Sequence, residues 1–182
     1  GKEDDHCKDD KDEELLNNMY DIIIVQWHRD LRKKPDCTKL LPKMENTLKN
    51  TLNNGGTIVH LFERTDKKTA EKINPILQET SPAQYSITRS CHILKKEEGY
   101  NFQINSDSDI NTAPLVDSLN KEIRGFSTLN EVDKQVKVHI TCEKYPILLT
   151  KQIDKGCSIA LAFSFCGGWN KKKAGLSEFL TL

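Results

Sequence analysis

The stretch FCGGWNKKKAG, Phe165 to Gly175, carries the densest binding chemistry in this chain. Gly167 and Gly168 allow a ligand close approach to the backbone. Trp169 offers a stacking face, and Lys171, Lys172 and Lys173 can neutralise phosphates. Aromatic plus basic is the recipe of a groove for single-stranded nucleic acid. A second cluster repeats it near the other end: Trp27, His28, Arg29, Arg32, Lys33 and Lys34. Placed at strand exits, the two clusters would make a basic, aromatic-lined surface. The plainer alternative for Phe165–Gly175 is a solvated loop whose Trp packs on the core.

Other chemistries have weaker signatures. Gly55-Gly56 stands between a helix-like and a strand-like run, whereas phosphate-cradling loops run strand, glycine, helix, so that a helix N-terminus meets the anion. The pair reads as a helix stop. His6-Cys7, Cys91-His92 and His139-x-x-Cys142 offer zinc ligands, but none has the paired short spacing of a zinc knuckle. They read as core thiols and surface histidines. No Gly-x-Ser-x-Gly occurs, and no cysteine has an activating context. Carboxylates for two-metal phosphodiester cleavage could come from Glu63 and Asp66, or from Asp107 and Asp109. Such loop acids are ordinarily solvated.

Patterning supplies the elements that must hold these groups. The β-branched run DIIIVQW, Asp21 to Trp27, predicts a buried strand. Leu40, Met44, Leu48 and Leu52, with Leu41 alongside, form one helical stripe. Pro42 suits the first turn, and Gly55-Gly56 stops the helix. TIVHLF, Thr57 to Phe62, reads as a central strand. A second helix is expected from Asp66 to Leu77, with Thr65 as N-cap. YSITRSCHIL and GYNFQI both alternate, and the KKEEG between them predicts an antiparallel hairpin. A third helix is expected over Ala113 to Arg124, capped by Thr112, with Pro114 in its first turn and Gly125 as its stop. QVKVHITC places Val136, Val138, Ile140 and Cys142 on one face and Lys137, His139 and Thr141 on the other. CSIALAFSFC reads as a central strand. The fold class is α+β, with a mixed, mainly antiparallel sheet and three helices.

Composition bounds the partners. The 182 residues hold 27 basic and 27 acidic side chains, so net charge is zero and says nothing for or against nucleic acid. Its distribution is uneven. Residues 1–14 hold eight acids against three lysines, a net of −5, and read as an acidic, disordered tail before a single domain over 15–182. Residues 29–49 hold seven bases against three acids, a net of +4. The six cysteines form no Cys-x-x-Cys pair, and no Asn-x-Ser/Thr sequon occurs. Free thiols in a cytoplasmic or nuclear protein are expected. No run of eighteen apolar residues calls for a membrane.

The block from Tyr20 to Ile104 resembles the N-terminal core of the Schlafen family, the divergent AlbA-type module. In that family a strand of type D-L-V-I-x-V precedes a helix ending A-L-L-N-S-G-G-G-V-I, followed by strand, helix and strand. Here YDIIIVQW, MENTLKNTLNNGGTIVHL and AEKINPILQ keep that order, and Asn53, Gly55 and Gly56 match its Asn-x-Gly-Gly core. The resemblance implies a module that binds structured RNA, either as an endoribonuclease or, as in mini-Schlafen chains, as a subunit of an RNA-processing complex. The family's catalytic motif, Glu-x-x-x-x-Glu-Phe-Lys, is absent. SEF at Ser177 to Phe179 is the nearest text, with Lys173 standing where an acid is needed, so no catalytic residue carries over. The bridging zinc of the family finds no counterpart either. The expected partners are therefore RNA and protein subunits, with no membrane and no cofactor. Two alternatives stand beside this: a secreted, disulfide-stabilised, immune-modulating binding protein, and a metal-dependent endoribonuclease using Mg²⁺ or Mn²⁺.

Overall fold

A computed structural model describes residues 20–27, 37–88, 91–93, 100–123, 125–165 and 176–181. The acidic run 1–14 lies outside these. Thirteen of the described elements account for the fold: strands β1 (Ile22–Trp27), β2 (Thr57–Phe62), β3 (Ala83–Tyr85), β4 (Cys91–Ile93), β5 (Phe102–Ile104), β6 (Gly125–Ser127), β7 (Leu129–Glu131), β8 (Lys137–Cys142), β9 (Tyr145–Ile153) and β10 (Gly156–Leu161), and helices α1 (Cys37–Asn53), α2 (Lys67–Thr80) and α3 (Ala113–Glu122). A single turn, α4 (Leu176–Phe179), follows.

Six strands form one sheet in the order β1-β2-β10-β9-β8-β5. β1 and β10 flank β2 and run parallel to it, while the β10-β9, β9-β8 and β8-β5 pairs are antiparallel. Two short antiparallel ladders, β3 with β7 and β4 with β6, complete the α+β fold. α1 packs on β1, β2 and β10 and against α2. TIVHLF is central, as its two-sided hydrophobicity predicts: every residue from Ile58 to Phe62 is buried. β10 is central too, between β2 and β9.

Gly55 and Gly56 end α1. Gly55 has φ +88°, the left-handed conformation that stops a helix cheaply only in glycine. Gly56 and Gly156 lie so close that a Cβ on Gly156 would collide with the Gly56 carbonyl oxygen and stand 2.7 Å from the Leu52 Cα. This is a packing junction between the end of α1 and the starts of β2 and β10.

Several sequence expectations are corrected. β1 is a sheet edge among the described residues, with Ile22 and Ile24 exposed, so its β-branched run is not a buried strand. Pro42 stands beyond the first turn of α1, which begins at Cys37. α2 is capped by Asp66, whose carboxylate accepts from the Thr69 N–H at 3.2 Å, not by Thr65, and it runs through Pro75 to Thr80. Thr112 precedes α3 without a side-chain cap bond. α3 ends at Glu122, and Gly125 opens β6 rather than stopping the helix. Among the described residues the expected hairpin is absent: β4 pairs with β6 and β5 with β8. β9, the longest strand among the described residues, has no turn signal in the sequence, because its two tight turns carry no glycine at their left-handed positions, Glu143 (φ 55°) and Asp154 (φ 51°).

Candidate nucleic-acid interface

Because β1, β2 and β10 are parallel neighbours, their carboxyl ends share one end of the sheet. Open α/β sheets bind ligands at such ends. The chain leaves β1 at Trp27, β2 at Phe62 and β10 at Leu161. Two polar side chains tie these exits together. The Tyr85 hydroxyl lies 3.2 Å from the Trp27 carbonyl oxygen and 2.8 Å from that of Glu63, so its proton bridges the β1 and β2 exits. Burial, with the Glu63 charge adding to it, holds the Tyr85 phenol well above its ordinary pKa, so it stays a donor. The Ser127 hydroxyl donates to the Phe62 carbonyl at 3.2 Å, and the Ser127 N–H donates to Ala162 at 2.6 Å, joining the β2 and β10 exits.

Trp27 anchors the region rather than offering a stacking face. It is 1% exposed, and its indole N–H donates to His60 Nδ1 at 3.0 Å. An indole nitrogen only donates, so Nδ1 is the unprotonated ring nitrogen and Nε2–H donates to the Thr80 carbonyl at 2.9 Å. Burial lowers the His60 pKa to about 4. The aromatic half of the first basic cluster is therefore core, which corrects that part of the expectation. Arg29, Arg32, Lys33 and Lys34 lie outside the described residues, as do Trp169, Lys171, Lys172 and Lys173. Just past β2, Gln26 Nε2 donates to Glu63 at 2.6 Å. Thr65 there is 3% exposed, and its hydroxyl has no hydrogen-bond partner among the described residues.

Glu63 accepts from Gln26, Asp66 caps α2, and Asp109 pairs with Lys137 at 2.8 Å. Among the described residues no group of three His, Cys, Asp or Glu side chains is placed to hold a metal ion.

One polar cluster escaped the sequence. A register shift in the β8–β9 ladder falls at His139, which is buried with no exposed surface rather than lying on a polar face. Its Nε2 meets the Thr150 hydroxyl at 2.7 Å and its Nδ1 the Ser108 hydroxyl at 3.0 Å. Asp109 stands 3.8 Å from the same Nδ1. Burial lowers the His139 pKa against the opposing pull of Asp109. A neutral histidine on a hydroxyl is a base–alcohol pair in principle. With no exposed surface, this one knits β8, β9 and the loop after β5 together.

No protein-family model matches the chain, and no curated protein is similar to it in sequence. Solved structures share its fold. The cytoplasmic protein STM1381 of Salmonella typhimurium LT2 superposes with a TM-score of 0.62 at 16% identity, covering 89% of this chain and 66% of that one. The cytoplasmic protein STM3548 of Salmonella typhimurium gives 0.59 at 16%, covering 88% and 66%. The mmIFT52 N-terminal domain gives 0.50 at 15%, covering 93% and 78%. This chain thus spans just under two-thirds of the two Salmonella proteins, and at these identities the likeness concerns the fold alone. No helix among the described residues is long and apolar enough to cross a membrane.

Proposed function

We propose that this chain is a non-catalytic, intracellular RNA-binding module that works beside other protein subunits, taking RNA across the carboxyl ends of β1, β2 and β10. The observation that carries the reading is the parallel adjacency of those three strands. Both cationic segments, Arg29 to Lys34 and Lys171 to Lys173, follow in sequence from that one end of the sheet. The Tyr85 and Ser127 clamps support it, since loops that bind are best held on a rigid scaffold. So does the likeness of Tyr20–Ile104 to the Schlafen core. The lysines and arginines would neutralise phosphates, and Trp169 would stack on a base.

Filter binding of single-stranded RNA to the full chain tests this. Reversing Lys171, Lys172 and Lys173 to Glu weakens binding and flattens its salt dependence by about 0.7 in log–log slope per lost phosphate contact. Affinity unchanged at every salt concentration rejects the reading.

A further inference from the structure

Among the described residues, β1 closes one side of the six-stranded sheet. Exposed edge strands usually carry a lysine, a proline or a bulge that blocks further pairing. IIIVQW carries none of these. The Thr57 N–H donates to the Asp21 carbonyl at 2.7 Å and the Glu63 N–H to the Trp27 carbonyl at 3.1 Å. Odd-numbered residues of β1 therefore face β2, and the backbone groups of Ile22, Ile24 and Gln26 turn toward the open side. Trp27 shares a face with His60, so by alternation Ile22 and Ile24 project from the opposite face. They are 64% and 59% exposed. Beside the strand runs a groove of about 460 Å³, lined by β1 and by Met44, Thr47 and Leu48 of α1.

We infer that β1 pairs antiparallel with β1 of a second copy of this chain, about a two-fold axis at Ile24. Three features favour a second copy over another extended segment. First, the pairing is self-complementary: Ile24 meets Ile24, Ile22 meets Gln26, and no like charges stand opposite each other. Second, charge order matches. Asp21 and the acidic run 1–14 precede β1, while Arg29, Arg32, Lys33 and Lys34 follow it. In sequence, an antiparallel mate pairs the acid-preceded end of one β1 with the base-followed end of the other, whereas a parallel mate pairs like ends. Third, Ile23 and Val25 of the second copy fall on the face of the groove, where Met44 and Leu48 supply apolar surface. The two sheets become one, continuous through β1. A six-residue edge buries less than the roughly 800 Å² per partner of a standard interface, so the dimer is reversible and concentration-dependent.

Sedimentation equilibrium on the full chain without RNA tests this, over about 1 to 200 µM. The wild type rises from monomer toward twice the monomer mass. Ile24→Lys and Ile24→Glu each set like charges face to face and weaken association at least about tenfold. An equimolar mixture of the two restores it. Circular dichroism checks the fold, and Ile22→Lys replaces any Ile24 variant that loses it. A wild type monomeric throughout the range overturns the inference. So does a dimer undiminished in these variants, or a mixture that associates no better than its components.

Discussion

His60 shows how one buried residue ties stability to pH. Its ring is sandwiched in a closed network: the Trp27 indole donates in, Nε2–H donates out to Thr80, and the Ser158 hydroxyl donates to the same carbonyl at 2.8 Å. Adding a proton to Nδ1 would confront the indole N–H with another donor. The folded pKa, lowered to about 4, lies below the unfolded value of 6.5, so the unfolded chain binds the proton first. The stabilisation is whole above pH 6.5 and drains away as pH falls toward 4, by about 3 kcal/mol across that window. Urea denaturation at pH 7.5, 5.5 and 4.5 measures it. His60→Gln keeps a donor and an acceptor without titrating, so its slope against pH is flatter than that of the wild type; equal slopes remove His60 as the cause. The strand around His60 was readable from TIVHLF, but its role was not. Nothing in the sequence spacing announces that Trp27, in another strand, meets it, because that contact depends on β1 and β2 being parallel and in one register.

At the level of elements, apolar stripes located the helices well, and local turn chemistry located the strands poorly. α1 buries Leu48 and Leu52 of its predicted stripe, and α2 and α3 likewise each bury one apolar face, with Ile73 and Leu77 in α2 and Leu115 and Leu119 in α3. The hairpin expected between YSITRSCHIL and GYNFQI failed because alternation fixes a strand's faces and not its mate: β4 and β5 find partners in β6 and β8, each more than 30 residues away. His139 leaves the polar face that alternation predicts for a related reason, since the register shift in β8 breaks that alternation. The glycines at the α1 junction permit a discriminating prediction. Gly55→Ala meets nothing nearer than the Lys155 carbonyl at 3.7 Å, so its cost is backbone strain at φ +88°, about 1 kcal/mol. Gly156→Ala drives a methyl to 2.8 Å from the Leu52 carbonyl oxygen as well as onto Gly56, and backbone atoms cannot rotate away. Its cost is about 2 kcal/mol or more. Chemical denaturation ranks the two, and a Gly156→Ala chain as stable as wild type would contradict the junction.

Across the whole molecule, composition and patterning were enough to give the α+β class, and the sheet's central strands were visible as runs apolar on both faces. The candidate interface was legible only as two compositional clusters. What brings their origins together is the insertion of β10 beside β2, which no local signal encodes. Cysteine chemistry bears on the alternative of a disulfide-stabilised secreted protein. Cys91, Cys142 and Cys157 are unbridged thiols, half of the six in the chain. Thiol titration in denaturant without reductant is expected to count at least three. In native buffer Cys142 reacts slowly, since burial pushes its pKa up to about 11. A count below three would favour the secreted reading.

The place of β10 also orders events at the ribosome. Residues 57–62 leave the exit tunnel long before residues 156–161, the strand that must flank them on their second side. Until residues 156–161 have emerged, the nascent chain holds a hydrophobic ribbon with one margin vacant, and their arrival decides when it closes.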